Sequence, residues 1–171
     1  MVLTSGEEEA LVTNAQVGPW WLVLRGLKAI GEDMCQDWIL RGMNWLESCQ
    51  NGDGGWGETC ATYDNPKLKG QGESTPSQTA WALMGIIAAS DHLRPSMRHG
   101  VEYLHRTQSP DGSWAEDHIT GTGFPKVFYL KYDMYRNSWP LLALATYRNL
   151  LPGAVCQQPT SVATSAEPAP R

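Results

Sequence analysis

The apolar positions of the chain fall into two alternating kinds of segment. "PWWLVLRGLKAI" opens with Pro19, and its apolar residues cover most of a helical circumference. "QDWILRGMNWLESC" is amphipathic, with Trp38, Gly42, Trp45, Leu46 and Cys49 at helical spacing. "TPSQTAWALMGIIAAS" is apolar all round, so it predicts a helix buried on every side. Thr75 is placed to cap it, Pro76 suits the first helical position, and Gln78 stands where it can reach back to the cap. "RPSMRHGVEYLHRTQ" is amphipathic again, with Met97, Val101 and Leu104 on one stripe. "SWPLLALATYRNLL" is apolar once more, with Ser138 as cap and Pro140 in the first turn. The order is buried, amphipathic, buried, amphipathic, buried, and no convincing period-2 strand interrupts it. Helical hairpins stacked side by side, one member inside and one outside, produce this alternation. The reading is an all-α protein.

The flanks read differently. Residues 1–18 show no clear period and carry Glu7, Glu8 and Glu9 in a row, so they read as an irregular start. The helical domain is taken as 19–151. Residues 152–171 hold four of the eleven prolines and no aromatic side chain, too little apolar surface to offset chain entropy, and are expected to be disordered.

A shift of 58 residues aligns "RGMNWLESCQNGDGGWGE" (41–58) with "HGVEYLHRTQSPDGSWAE" (99–116), with seven of 18 positions identical. The same shift puts Trp139 on Trp81. Such a period marks one supersecondary unit that buries its face on its neighbours. Gln50 and Gln108 close outer helices, where their amides can bond freed carbonyls or the start of a neighbouring helix. Asp53–Gly54 and Asp111–Gly112 supply tight turns. Trp56 and Trp114 offer flat surfaces to a glutamine amide or to the next outer helix. These residue types all serve as braces between hairpins. A phosphate cradle is not indicated, because no G-x-x-x-x-G-K occurs and the glycines follow a helix. Asp53 with Glu58 as an acid pair is the remaining chemical alternative.

The repeat points to a family. Arg41–Gly42, Trp45–Leu46, Gln50 and Gly54-x-Trp56 are similar to the QW repeat of triterpene cyclases, as are Gly100, Tyr103, Gln108, Asp111, Gly112 and Trp114 in the second copy. "STPSQTAWAL" (74–83) and "GTGFPKVFYLKYDMYRNSWPLLALATYR" (121–148) resemble the C-terminal region of bacterial squalene–hopene cyclases. The resemblance runs from Trp21 to Leu151. It implies a partial α/α toroid, that is, an incomplete α/α barrel of hairpins with QW repeats. It also implies cyclisation of a squalene-like substrate through carbocations, without metal or organic cofactor. Carried over by position, Phe124, Phe128, Leu130, Tyr132 and Tyr135 resemble residues lining the cyclase cavity, with Phe124 and Phe128 beside the later cations and Tyr132 near the first ring. On spacing alone, the aromatic positions 124, 128, 132, 135 and 139 equally suit a helix core, although Gly121, Gly123 and Pro125 favour a loop at the start.

The chain departs from the family pattern in three places. No D-x-D-D, the family's proton-donating motif, occurs, so no catalytic residue is assigned. The basic residue opening the repeat is Arg41 in one copy and His99 in the other. "NAQVGPW" stands where the family has a tryptophan- and tyrosine-rich approach. Five helices make two and a half hairpins, too few for a closed ring, so the inner helices are expected to present an open apolar face. These points lead to the expectation of a C-terminal cyclase piece from a truncated or split gene, inactive alone, whose partner is the missing N-terminal part. A non-catalytic half acting in trans is one alternative. A zinc toroid like the protein prenyltransferase β subunit, with Cys60, Asp64 and His118 as ligands by type, is another.

Charge and composition narrow the setting. Thirteen Lys and Arg face 18 Asp and Glu, a net charge of -5, with no basic block to attract nucleic acid. Eight tryptophans against two phenylalanines is unusual, and the tryptophans recur with the repeat. Cys35, Cys49, Cys60 and Cys156 form no C-x-x-C pair and read as free thiols. The longest apolar run, Ala80–Ala89, is well short of the roughly 20 residues of a bilayer span. The start of the chain is acidic where a signal peptide is basic. The expected location is the cytoplasm or the cytoplasmic side of a membrane. Surface membrane association and homodimers are implied by the family.

Overall fold

The computed structural model describes residues 17–90, 92–124 and 127–152, without the side chains of 122–124. The expected irregular start, the expected disordered tail and Cys156 lie almost wholly outside the described residues. Among the described residues five helices follow one another: α1 (Val17–Ala29), α2 (Asp37–Ser48), α3 (Pro76–Ala89), α4 (Pro95–Thr107) and α5 (Tyr135–Arg148). Two short 3-10 turns, Cys60–Tyr63 and Pro66–Leu68, stand between α2 and α3. One feature differs from the all-helical expectation: β1 (Gly121–Phe124) and β2 (Phe128–Leu130) pair antiparallel before α5.

α3 is the centre. All 14 of its residues are buried, between α1 and α5 on its flanks and α2 and α4 outside. α2 turns Trp38, Ile39, Met43 and Leu46 inward, and α4 turns Met97, Tyr103 and Leu104 inward. This is the inside–outside alternation of a partial α/α toroid. The expectation that all three inner helices lie open on one side is corrected for α3. α1 and α5 meet over it, Trp21 packing edge-on against Trp139 with ring centroids 5.0 Å apart. The open apolar surface belongs to α5, which buries only Pro140 and Ala143 and leaves Leu141 66% exposed.

One capping expectation holds and one changes. Thr75 Oγ1 accepts from Gln78 N, and Pro76 takes the first position. Gln78 reaches back to the cap, its Oε1 accepting from Thr75 Oγ1 at 3.2 Å. Its side chain also spans to Glu58, taking the backbone N–H at 2.9 Å and donating to the carbonyl at 3.0 Å. α5 starts at Tyr135, so Ser138 is inside the helix, donating to Met134 O at 2.8 Å, and Pro140 lies beyond the first turn. The early start is fixed by Arg136 and Asn137, which bind the preceding turn.

The two repeat copies have the same hydrogen-bond skeleton. Gln50 Nε2 donates to Gly54 O, and Gln108 Nε2 to Gly112 O, each at 2.8 Å. Asp53 Oδ1 and Asp111 Oδ1 accept from Gly55 N and Ser113 N, each at 3.0 Å. Gly54 and Gly112 sit at φ +88° and +85°, where only glycine is unstrained. Trp56 Nε1 donates to Leu46 O and Trp114 Nε1 to Leu104 O, each on the helix before the turn. The copies then tie hairpins together. Gln50 also donates to Ser96 O in the first turn of α4, and the Trp56 ring lies against Gly100, where an added Cβ would stand 2.9 Å from Cζ3. Gly42 meets Trp20 of α1 still more closely. Trp45 is half-buried near Gly70, Tyr103 donates to Ser74 O, and Arg41 is exposed on α2.

One further brace joins α2 to α4. Arg94 Nε and Nη2 donate to the two oxygens of Glu47 at 2.7 Å each, and Ser96 Oγ donates to Oε1. Burial pushes the Glu47 carboxyl up, but the Arg94 and Ser96 hydrogen bonds outweigh it and hold the group below its usual 4.5. A depressed carboxyl adds stability that is complete above the unfolded value and is lost as pH falls through the folded one. Glu47→Gln is therefore expected to cost about 1–2 kcal/mol at neutral pH. The gap to the parent chain should close below about pH 4.5, read from urea unfolding across an acid series.

Candidate functional site

The helix ends and the hairpin together make a cleft. The repeat's closing glutamates fix its floor. Glu58 Oε2 accepts from Val17 N at 2.8 Å, at the start of α1. Glu116 accepts from Ser77 N at 2.9 Å and Ser77 Oγ at 2.8 Å, at the start of α3. The carboxyl oxygens there serve as acceptors for N–H groups that a helix start leaves unpaired. Each repeat thus clamps the inner helix of the preceding hairpin and sets the N-terminal ends of α1 and α3 side by side.

The β1–β2 hairpin closes one wall. Its register pairs Gly121 with Leu130, Thr122 with Tyr129 and Phe124 with Phe128, with an irregularity between Thr122 and Phe124. Gly121 is needed for space, since a Cβ there would stand 3.0 Å from the Tyr132 ring. The aromatic positions 124 and 128 are therefore strand positions and do not continue the α5 stripe. From Tyr132 onward the rings converge. Tyr132 stacks on Tyr135 at 4.7 Å, and Tyr135 meets Trp139 at 5.8 Å and Trp81 at 5.9 Å, both edge-on. Phe128 and Tyr132 are each 43% exposed, while Leu130 and Tyr135 are half-buried. Phe124 is placed by its backbone only.

Between the hairpin and the helix ends lies a recess of about 580 Å³, lined among others by Glu58, Cys60, Gln78, His118, Ile119 and Tyr129. It adjoins a small pocket that reaches Tyr63, Trp81 and Thr120. Cys60 Sγ donates to Ile119 O at 3.3 Å, and Tyr63 and Tyr129 lie 6.3 Å apart. Burial raises the pKa of Glu58, Cys60 and Tyr63, each against the charged form. Glu58 is raised although it accepts from Val17 N and a nearby Lys69 opposes the shift. Burial thus disfavours the charged forms of Glu58, Cys60 and Tyr63, while Glu73, Asp117 and His118 add polar groups to the lining of the recess.

Cys60 and His118 share this recess, but Asp64 does not line it. His118 faces Glu73 at 3.2 Å. Among the described residues no group of three His, Cys, Asp or Glu side chains is placed to hold a metal ion. The residues that spacing did not single out for the site are Tyr63, Trp81 and Tyr129, and Glu58 entered only as an acid pair with Asp53. Two of them carried a signal, since the 58-residue shift maps Glu58 on Glu116 and Trp81 on Trp139.

The chain matches the squalene-hopene cyclase C-terminal domain over residues 13–149. It is similar to a dammaradiene synthase of Dryopteris crassirhizoma, 49% identical over 135 residues, covering 71% of this chain and 20% of that one. It is also similar to a probable squalene–hopene cyclase of Sinorhizobium fredii, at 47% identity over 76% of this chain and 20% of the relative. A squalene–hopene cyclase of Alicyclobacillus acidocaldarius is 53% identical over 95 residues, 56% of this chain and 15% of the relative. The chain spans about a fifth of the length of the first two of these curated relatives.

Proposed function

The chain belongs to the squalene–hopene cyclase family through its C-terminal domain, and from that premise we propose that it supplies the aromatic wall of a triterpene-cyclising chamber. The observation that carries this reading is the convergence of Tyr132, Tyr135, Trp81 and Trp139, with Trp81 lining the small pocket that adjoins the recess. Phe128 and Leu130 extend the wall along the hairpin, where position 124 pairs with Phe128. In the reaction a proton adds to a terminal double bond of a squalene-like polyene. The cation then moves through successive ring closures and ends by losing a proton or capturing water. An aromatic face attracts a desolvated cation by about 2 kcal/mol or more, so rings placed along the path lower each cationic step. The same rings exclude water, which would quench the cation early.

The proton comes from elsewhere. The 171 residues contain no D-x-D-D. Glu58 is not given that role, because its carboxyl is engaged at the start of α1, accepting from Val17 N. The chain therefore contributes positioning and electrostatics beside a cyclase part that carries the acid, on the cytoplasmic side of a membrane where a hydrocarbon substrate partitions.

The expected result is that the purified chain makes no pentacyclic triterpene from squalene by gas chromatography. Co-expression with a cyclase N-terminal part bearing D-x-D-D should yield one. In that pair, Tyr135→Ala should shift products toward partly cyclised ones by about tenfold or more, since about 1.4 kcal/mol of cation stabilisation is a factor of ten. Pentacyclic product from the chain alone would overturn the dependence on an external acid. An unchanged product pattern in Tyr135→Ala would remove the wall.

A further inference from the structure

A second cavity lies at the opposite ends of the same inner helices, away from the hairpin cleft. It measures about 400 Å³, within the range of small-molecule sites. Its walls are Met84, Ile87 and Ala88 of α3 and Leu150 beyond α5, and its rim carries Arg25 and Lys28 of α1. Met84, Ile87 and Ala88 are buried, whereas Arg25 and Lys28 are exposed. The two cations stand one helical turn apart and so face the same side of α1.

Among the described residues no carboxylate pairs with Arg25 or Lys28. Arg25 rests on apolar and soft groups, its Cζ 5.6 Å from the Trp21 ring centroid and its Nη1 3.9 Å from Met84 Sδ. This leaves most of its five donors open. Lys28 in the last turn also complements the helix dipole, but that does not explain Arg25 or the apolar hollow below it. An apolar cavity rimmed by two unpaired cations matches a molecule with a hydrocarbon body and a negative head.

We propose that this cavity binds a single-chain amphiphile with an anionic head, its chain against Met84, Ile87, Ala88 and Leu150 and its head between Arg25 and Lys28. The site is separate from the aromatic cleft, and the proposal does not rest on the cyclase reading. A dissolved amphiphile and a bilayer lipid both carry such a head, and the two sources are separable by experiment.

Bromine-labelled dodecanoate, titrated into the full chain at neutral pH, reads occupancy through tryptophan quenching, because Trp21 lies under Arg25. Quenching should saturate, and the matching bromododecanol should bind about tenfold or more weakly, as expected when charge-assisted hydrogen bonds are lost. Arg25→Gln with Lys28→Gln should remove most of that difference while leaving the helical circular dichroism unchanged. Lys28→Gln alone, at an exposed position, should weaken dodecanoate in the same direction. Vesicles of phosphatidylglycerol with brominated acyl chains that quench where dissolved bromododecanoate does not would assign the same site to a bilayer lipid. Equal binding of alcohol and carboxylate, affinity unchanged in both variants, or no saturable quenching by either source overturns the proposal.

Discussion

Trp56→Ala is expected to lower the stability of the folded chain by about 4 kcal/mol, a large share of the 5–15 kcal/mol typical of a domain. The indole is fully buried and its N–H donates to Leu46 O at 2.7 Å. Truncation removes the largest side chain between α2, α3 and α4 and leaves a cavity with a buried carbonyl facing it. The neighbours cannot collapse into the space, because Gly100 on the facing helix has no side chain to move. Trp56→Phe, which keeps much of the ring and loses only the N–H bond, should cost about half as much or less. Urea unfolding followed by far-ultraviolet circular dichroism reads both. A loss below about 1 kcal/mol in Trp56→Ala would show that the turn does not brace the hairpins.

Glu116→Ala carries the second large effect, a loss of about 3 kcal/mol. Its carboxylate is 7% exposed and accepts both the Ser77 N–H and the Ser77 hydroxyl at the start of α3. Removing it strands those donors inside the core, and hydrogen bonds to a charged group are worth about 1.5–3 kcal/mol each. It also withdraws a negative group from a helix N-terminus. Glu116→Gln keeps an acceptor of the same shape and should lose about half as much. Glu58→Ala is the internal comparison. Glu58 accepts from Val17 N at the start of α1, but one oxygen is buried without a hydrogen-bond partner. Its removal should therefore cost less than that of Glu116, and an equal or larger loss would contradict the clamp described for the two copies.

The legible part of the fold lies where a local pattern and a packing demand coincide. α3 is apolar on every face, and only complete burial accommodates that, so its central position was readable from Pro76 to Ala89. α2 and α4 each have one apolar stripe, which set them outside. The hairpin was missed because its strands are four and three residues long, too short for alternation to register. The start of α5 was misread because Ser138 and Pro140 look like a cap and a first-turn proline, while Arg136 and Asn137 are recruited by Trp114 from 22 and 23 residues away. Aromatic spacing likewise ran through positions 124 to 139 as one stripe, and the chain breaks it into a strand pair and a helix.

The sequence by itself determined the helical alternation, the 58-residue repeat and its turn chemistry, the family resemblance, and the want of a D-x-D-D acid. All of these are properties of residue type and spacing, which exist before the chain folds. Only the tertiary structure decided what the repeat's glutamates hold, that α1 and α5 close over α3 through Trp21 and Trp139, and which rings face the recess. It also decided that Arg25 and Lys28 stand over an apolar hollow. These depend on contacts between segments 39 or more residues apart, such as Ser77 with Glu116, Val17 with Glu58 and Arg25 with Met84. No local pattern encodes such distances, because they follow from how whole helices pack.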